Sequence, residues 1–319
     1  MDGLIAAGSS DHPQLSSSEL IDAFALDCGD RGLDNETARR YISGAKIFSR
    51  FVNNRGLSLL AVDGHVLRDF IRHRRSQGIK QKTMGNDLSS IAALYDYLCF
   101  EEYMQSNPVP PIRKRFLKKY KRDSDDPPRK LISIEEMVKL VNSVLDPRDR
   151  SIILLLAKTG VRRGELISMD VNDIDWIEQS ITLKPKRKRT GRVVFFDDEC
   201  ATALKRWLKA REEFKPDNKA LFIGAGGERL KRHGVYSIVC NHAQKVGLHD
   251  PKSPKPEDHF TPHCFRHWFT TWLRRNGMPR EFIQELRGDR RREAIDIYDH
   301  IGRAELRKAY LACVPQLGI

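Results

Sequence analysis

Long apolar runs are missing from this sequence. The longest aliphatic stretch, Ile152 to Leu156 with Ala157, falls far short of the roughly 20 residues that cross a bilayer. Basic residues are missing from the opening Met1-Asp2-Gly3-Leu4-Ile5, where a signal peptide would carry them. Neither export nor a membrane anchor is expected. Cysteine is sparse, with six residues and no Cys-x-x-Cys pair, which speaks against a disulfide framework or a four-cysteine zinc site and for reduced thiols in a cytosolic protein. Aromatic residues make up only 8% of the chain. Acidic residues are the minority charge, 43 against 56 Lys and Arg, so the formal net charge is +13. That imbalance favours a polyanionic partner, of which nucleic acid and an anionic membrane surface are the obvious kinds. What remains is an ordinary soluble globular composition, 40% hydrophobic and 31% charged, over 319 residues, which suits two domains better than one.

Residues 1–14 read as a loose tail. Four helix-like stretches follow: Ser16 to Leu26, Asn35 to Val52, Asp63 to Arg75 and Thr83 to Tyr103, each with apolar residues at helical spacing. Short Gly- and Asn-bearing turns between them predict a small helical bundle over 15–112. The sequence Asn107-Pro108-Val109-Pro110-Pro111 reads as a helix breaker. From Arg113 to Lys130 nine Lys or Arg face three Asp, which reads as a basic linker suited to lie along phosphates.

A second domain is expected over 131–319. Ser133-Ile134-Glu135-Glu136 has the form of a capping box. The one clear strand signal is Ser180 to Leu183 followed by Val193 to Phe196, a predicted hairpin whose connection, Lys184 to Arg192, is strongly basic. The rest reads as helix, ending with Ala294 to His300 and Ala304 to Cys313.

Three segments carry candidate chemistry. In Thr261-Pro262-His263-Cys264-Phe265-Arg266-His267, Thr261 suits an N-cap and Pro262 the first helical position. His263 and Arg266 then share a helix face in the first turn, where backbone N–H groups favour an anion. A rival reading takes His259, His263 and His267 as metal ligands; Pro262 interrupts that helix, and no His-Glu-x-x-His arrangement is present. In Thr159-Gly160-Val161-Arg162-Arg163-Gly164-Glu165, an arginine follows a glycine break beside an apolar helix and is placed for bidentate contact with oxyanion oxygens. Glu165 either clamps it or forms a surface ion pair. The third segment runs from Leu286-Arg287-Gly288-Asp289 to Ile297-Tyr298-Asp299-His300. Tyr298 is either packing or, beside guanidinium groups that stabilise its phenolate, a nucleophile.

Taken in order, Thr-Gly-x-Arg, a basic hairpin, His-x-x-Arg, a Gly-x position and a tyrosine nine residues later resemble the tyrosine recombinase (phage integrase) family, with its Xer-type members. The resemblance covers about 131–310, while 15–112 is similar by pattern to the family's core-binding domain. It implies a mainly α fold with a small β-hairpin or sheet: an N-terminal SAM-like helical bundle and an α+β catalytic domain. It also implies that Arg162 and Arg266 bind a scissile phosphate, that His263 assists and that Tyr298 is the nucleophile. Lys188 matches the hairpin lysine, with Lys186 second. Asp289 departs from the family, which usually has His or sometimes Trp there; an ionised carboxylate cannot donate to a phosphate, and its role is either to orient Arg266 or to mark a variant branch, since some archaeal integrases look similar here. The partner implied is double-stranded DNA, bound by a homotetramer on two sites, in the cytoplasm and nucleoid-associated, with no cofactor, metal or membrane. The C-terminal helix would dock on a neighbour, though its stripe of Leu306, Ala309, Tyr310 and Cys313 is equally well explained by packing within one chain. Two other functions stay open: a type IB topoisomerase-like relaxase, and a non-catalytic DNA-binding protein on the same scaffold.

Overall fold

The computed structural model describes residues 15–117, 130–185, 191–289 and 301–319. The chain divides into two compact units, Met1–Ser124 and Asp125–Ile319.

In the first unit, α1 (Ser17–Asp30), α2 (Asn35–Asn53), α3 (Gly64–Ser76), α4 (Gln81–Phe100) and α5 (Val109–Phe116) enclose one core. The starts are set by side-chain caps. Ser16 and Glu19 form a capping box, Asp34 accepts from the Thr37 N–H, and Asp63 accepts from the N–H groups of His65 and Val66. Phe48, Phe51, Phe70 and Tyr95 stack edge-on at the centre, and the buried Tyr95 hydroxyl donates to the Leu59 carbonyl at 2.8 Å. Helices α2 and α4 approach so closely at Gly44 that a Cβ there would lie 2.4 Å from Ser90 Cβ. The helix break expected at Asn107–Pro111 is wrong: α5 starts at Val109, with proline in its first turn, where no N–H is needed. Val109 is fully buried, and Arg113, Lys114 and Arg115 lie on this same helix.

The second unit is built around α7 (Pro147–Thr159), whose residues Ile152 to Ala157 are all buried. A helix apolar on every side must be surrounded, and this one packs against α6 (Ile134–Asn142), α9 (Asp198–Glu212), α10 (Arg232–Lys245) and α11 (Pro262–Arg275). The expected capping box opens α6: the Glu136 N–H donates to Ser133 Oγ, and Glu136 accepts from the Ser133 N–H. The predicted hairpin exists as β2 (Ser180–Leu183) paired antiparallel with β3 (Arg192–Phe195), Ser180 opposite Phe195 and Leu183 opposite Arg192. A two-residue strand, β1 (Ile174–Asp175), adds to the free side of β2 to give the order β1-β2-β3. The connection from residue 186 to 190 lies outside the described residues. Short helix α8 (Arg163–Leu166) follows α7, and α12 (Arg280–Arg287) and α13 (Arg303–Cys313) complete the unit.

Around β3 a further core joins Phe195, Phe269, Leu273, Met278, Ile283 and Leu286 to Leu306, Tyr310 and Cys313 of α13. Of the two explanations for the C-terminal apolar stripe, the structure has packing within one chain. Among the described residues no helix is long and apolar enough to cross a membrane.

Candidate active site

Helix α7 ends at Gly160, whose φ of +59° is left-handed. A Cβ there would lie 2.4 Å from Phe269 Cδ1, so both the backbone and the ring of α11 demand glycine. The chain then turns extended, and Arg162 caps α8 with its N–H donating to Glu165 Oε2 at 2.8 Å. Thr261 occupies the N-cap position of α11 and Pro262 its first turn, with the Thr261 hydroxyl 3.8 Å from the Cys264 sulfur. Arg266 leaves the inner face of that helix and retains only 4% of its accessible surface.

The two arginines, far apart in sequence, meet. Arg162 Nη2 and Arg266 Nη2 donate to the same oxygen, Asp289 Oδ1, at 3.1 and 3.0 Å. Both also donate to the Arg287 carbonyl, at 3.1 and 2.8 Å. Arg266 Nη1 donates to the Gly160 carbonyl at 3.0 Å, which ties α11 to the end of α7. Two guanidinium groups thus point their N–H bonds at one anionic oxygen, the arrangement that recognises phosphate. Burial, with the neighbouring charges of Arg162 and Arg287, lowers the Arg266 pKa to about 9, partly offset by Asp289 and Glu165.

Supporting charges surround the pair. Glu165 is a buried clamp and not a surface ion pair: it accepts from Arg192 Nη1 and Nη2 at 2.9 and 3.1 Å and lies 3.3 Å from Arg162 Nη1. Burial raises its pKa, but the hydrogen bonds and charges of Arg192 and Arg162 outweigh that and hold it at about 2. Arg192 Nε also donates to the Leu286 carbonyl at 2.9 Å, so β3 is fastened to the end of α12. Arg287 Nε lies 3.0 Å from the other oxygen of Asp289.

Of the residues singled out from the sequence, Arg162, Arg266 and Asp289 are brought together. His263 stands one turn before Arg266 on α11, exposed, its ring edge-on to His267 at 5.5 Å between centroids. Lys188, Lys186 and Tyr298 lie outside the described residues. The histidine metal reading fares poorly: His259 precedes α11, and its Nε2 is 2.7 Å from the Ser253 carbonyl. Among the described residues no group of three or more His, Cys, Asp or Glu side chains could hold a metal ion.

Sequence reasoning did not single out Arg192, one member of the basic hairpin connection, or Arg287, which stands between Leu286 and Gly288 with no spacing to mark it. It also missed Lys158, fully buried near the end of α7. Its ammonium is satisfied by Asp197 Oδ2 at 2.6 Å, the Pro315 carbonyl at 2.6 Å and a Glu199 carboxylate oxygen. Glu199 in turn accepts from the N–H groups of Leu317, Gly318 and Ile319, and the Tyr310 hydroxyl donates to the Lys158 carbonyl at 3.0 Å. The C-terminal segment is therefore fastened to the helix that delivers Arg162.

The profile of the phage integrase family matches residues 131–305, and that of the phage integrase N-terminal SAM-like domain matches 21–102. Tyrosine recombinase XerC of Pelotomaculum thermopropionicum is 30% identical, over 80% of this chain and 82% of its own length. Tyrosine recombinase XerD of Staphylococcus epidermidis is 24% identical over 90% of this chain and 95% of its own. Among solved structures, the XerH site-specific recombinase bound to a palindromic difH substrate aligns with a TM-score of 0.67 at 18% identity, covering 93% of this chain and 80% of that one. The Tn1549 transposon integrase in complex with a circular intermediate DNA aligns with a TM-score of 0.66 at 18% identity, covering 91% and 97%. These two structures share the fold described above.

Proposed function

This chain belongs to the phage integrase family of tyrosine recombinases, and from that premise we propose how its own residues carry out site-specific DNA recombination. The observation that carries the reading is the convergence of Arg162 and Arg266 on one anionic oxygen. A non-bridging oxygen of a DNA phosphodiester takes that seat. Tyr298 gives up its phenolic proton to solvent as the arginines favour its phenolate, its Oη attacks the phosphorus, a 3′-phosphotyrosyl bond forms, the bond to the 5′-oxygen breaks, and Lys188 (or Lys186) supplies the proton that this leaving oxygen needs. His263, one helical turn before Arg266, assists proton transfer or holds the phosphate. The arginines neutralise charge that grows in the transition state, and their fixed geometry costs no reorganisation at that moment. The covalent link conserves the energy of the broken ester, so no nucleotide is consumed. The 5′-hydroxyl of a second strand then attacks the same phosphorus and releases Tyr298, which exchanges strands.

The bundle, which runs through α5 to Phe116, and the catalytic domain at 131–319, joined by the basic residues that follow α5, both hold the duplex, largely through phosphates. Binding is therefore steeply salt-dependent. Four protomers on two DNA sites form the working assembly, on the chromosomal DNA of the nucleoid. A relaxase would need no second site, and a non-catalytic binder would have no use for two arginines aimed at one anionic oxygen.

The test uses Arg266→Ala and Arg162→Ala on nicked suicide duplexes carrying the chain's own site. Each variant should bind DNA but form covalent adduct about 100- to 1,000-fold more slowly. Adduct formation at the wild-type rate in both would remove the pair from the chemistry.

A further inference from the structure

We propose that Asp289 is an internal stand-in for the scissile phosphate, seated between Arg162 and Arg266 in the DNA-free chain and handed over to Arg287 when DNA arrives. The proposal rests on the recombinase reading of the arginine pair and adds a step to it.

The seat outlasts its occupant. The Arg287 carbonyl accepts from both arginines, at 3.1 and 2.8 Å, and Gly160 fixes Arg266 from the other side at 3.0 Å. With Glu165, 3.3 Å from Arg162 Nη1, these carbonyls hold the guanidinium groups in place without any help from Asp289. The Asp289 side chain is the removable part: it is 30% exposed, whereas the Arg266 side chain is 4% exposed. It follows Gly288, whose φ of +58° ends α12 in a left-handed turn. One carboxylate oxygen shared by two guanidinium groups copies the contact a non-bridging phosphate oxygen makes.

Charge decides whether the carboxylate can stay. Arg192 is already paired through two hydrogen bonds to Glu165. Beyond Glu165, which also lies 3.3 Å from Arg162, the guanidinium groups of Arg162, Arg266 and Arg287 share one further carboxylate, that of Asp289. A phosphodiester entering beside a seated carboxylate would place two anions on one pair of cations, so the carboxylate must leave. Its second oxygen already lies 3.0 Å from Arg287 Nε, which gives it a cation to move to. The protein thereby keeps a cationic pocket occupied until a true phosphate displaces the internal one.

The opposing idea is that Asp289 only orients the arginines. The two differ in sign. Removing the charge strengthens phosphate binding if Asp289 competes, and weakens it if Asp289 merely aligns. Titration calorimetry of the full chain with inorganic phosphate reads this directly. Asp289→Asn, with Asp289→Ser as a second variant should the first fail to fold, is expected to bind phosphate about tenfold more tightly than wild type. Equal or weaker binding overturns the proposal. Arg287→Gln tests the handover: it should weaken phosphate binding in the wild-type background and leave it unchanged alongside Asp289→Asn. An equal loss in both backgrounds means that Arg287 contacts the phosphate itself and overturns the handover. Adding Arg162→Ala to Asp289→Asn should abolish the tightened binding. If it does not, phosphate binds elsewhere, and it is the arginine-pair reading that has failed, not only the role of Asp289.

Discussion

Replacing Lys158 by methionine removes one fully buried positive charge and leaves two largely buried carboxylates behind. The Lys158 side chain is 0% exposed, Asp197 6% and Glu199 12%. Deleting one partner of a buried, hydrogen-bonded pair costs about 3–5 kcal/mol, because the charge left behind has lost its counter-charge and is poorly solvated. A unit of this size loses about 2–4 °C per kcal/mol, so its melting transition should fall by about 6–20 °C. Calorimetry of the full chain would follow the transition of the second unit, since two units need not melt together. Hydrogen exchange should rise at Leu317, Gly318 and Ile319, whose N–H groups are held by Glu199. The companion variant Lys158→Met/Asp197→Asn/Glu199→Gln removes the stranded charges while keeping an Asn cap on α9, and should recover most of the loss. A single variant melting within about 1 °C of wild type would refute the reasoning. So would a triple variant no more stable than the single.

Five further outcomes are expected. Arg266 titrates at about 9, below its ordinary value, so adduct formation should fall as pH rises through about 9, which a pH–rate profile on suicide DNA would check. The sign for stability is opposite: the unfolded chain holds that proton more tightly, so this group makes folding more favourable as pH rises from about 9 towards its ordinary value. Glu165→Gln leaves Arg192 buried without its carboxylate and should cost about 3 kcal/mol in denaturant unfolding. In the wild type, the stabilisation from ionised Glu165 is complete above the ordinary glutamate range and is lost as pH falls towards about 2, readable as acid unfolding. Gly160→Ala forces a Cβ into Phe269 at a left-handed φ; it should lower stability by about 1–3 kcal/mol and slow adduct formation by shifting Arg162.

Helix ends are legible in adjacent residues. The helices α2 and α3 were expected within a residue of their observed ends, because caps such as Asp63 and helical apolar spacing are written in adjacent residues. The convergence of Arg162 and Arg266 followed from motif order, and Asp289 joined them. Proline misled at α5, since the same residue that breaks a helix interior starts a helix well. Strand β1 is two residues long and leaves no period to detect. The Lys158 cluster joins side chains from α7, the start of α9 and the C-terminal segment, and a lysine in an apolar helix gives no hint of partners that lie so far along the chain. Arg192 stayed hidden because a charge run makes every member look alike, and only burial singles it out, at 6% exposure; Arg287 meets the arginine pair through its backbone carbonyl, which no side-chain pattern marks.

The central claim is that this chain joins DNA to itself through Tyr298. The direct measurement is to incubate the full chain with its site DNA, denature it, digest the DNA and locate the nucleotide-bearing peptide by tandem mass spectrometry. The account predicts a phosphonucleotide on Tyr298, and none in Tyr298→Phe despite unchanged duplex binding. A nucleotide on another residue, or an adduct that persists in Tyr298→Phe, would contradict it.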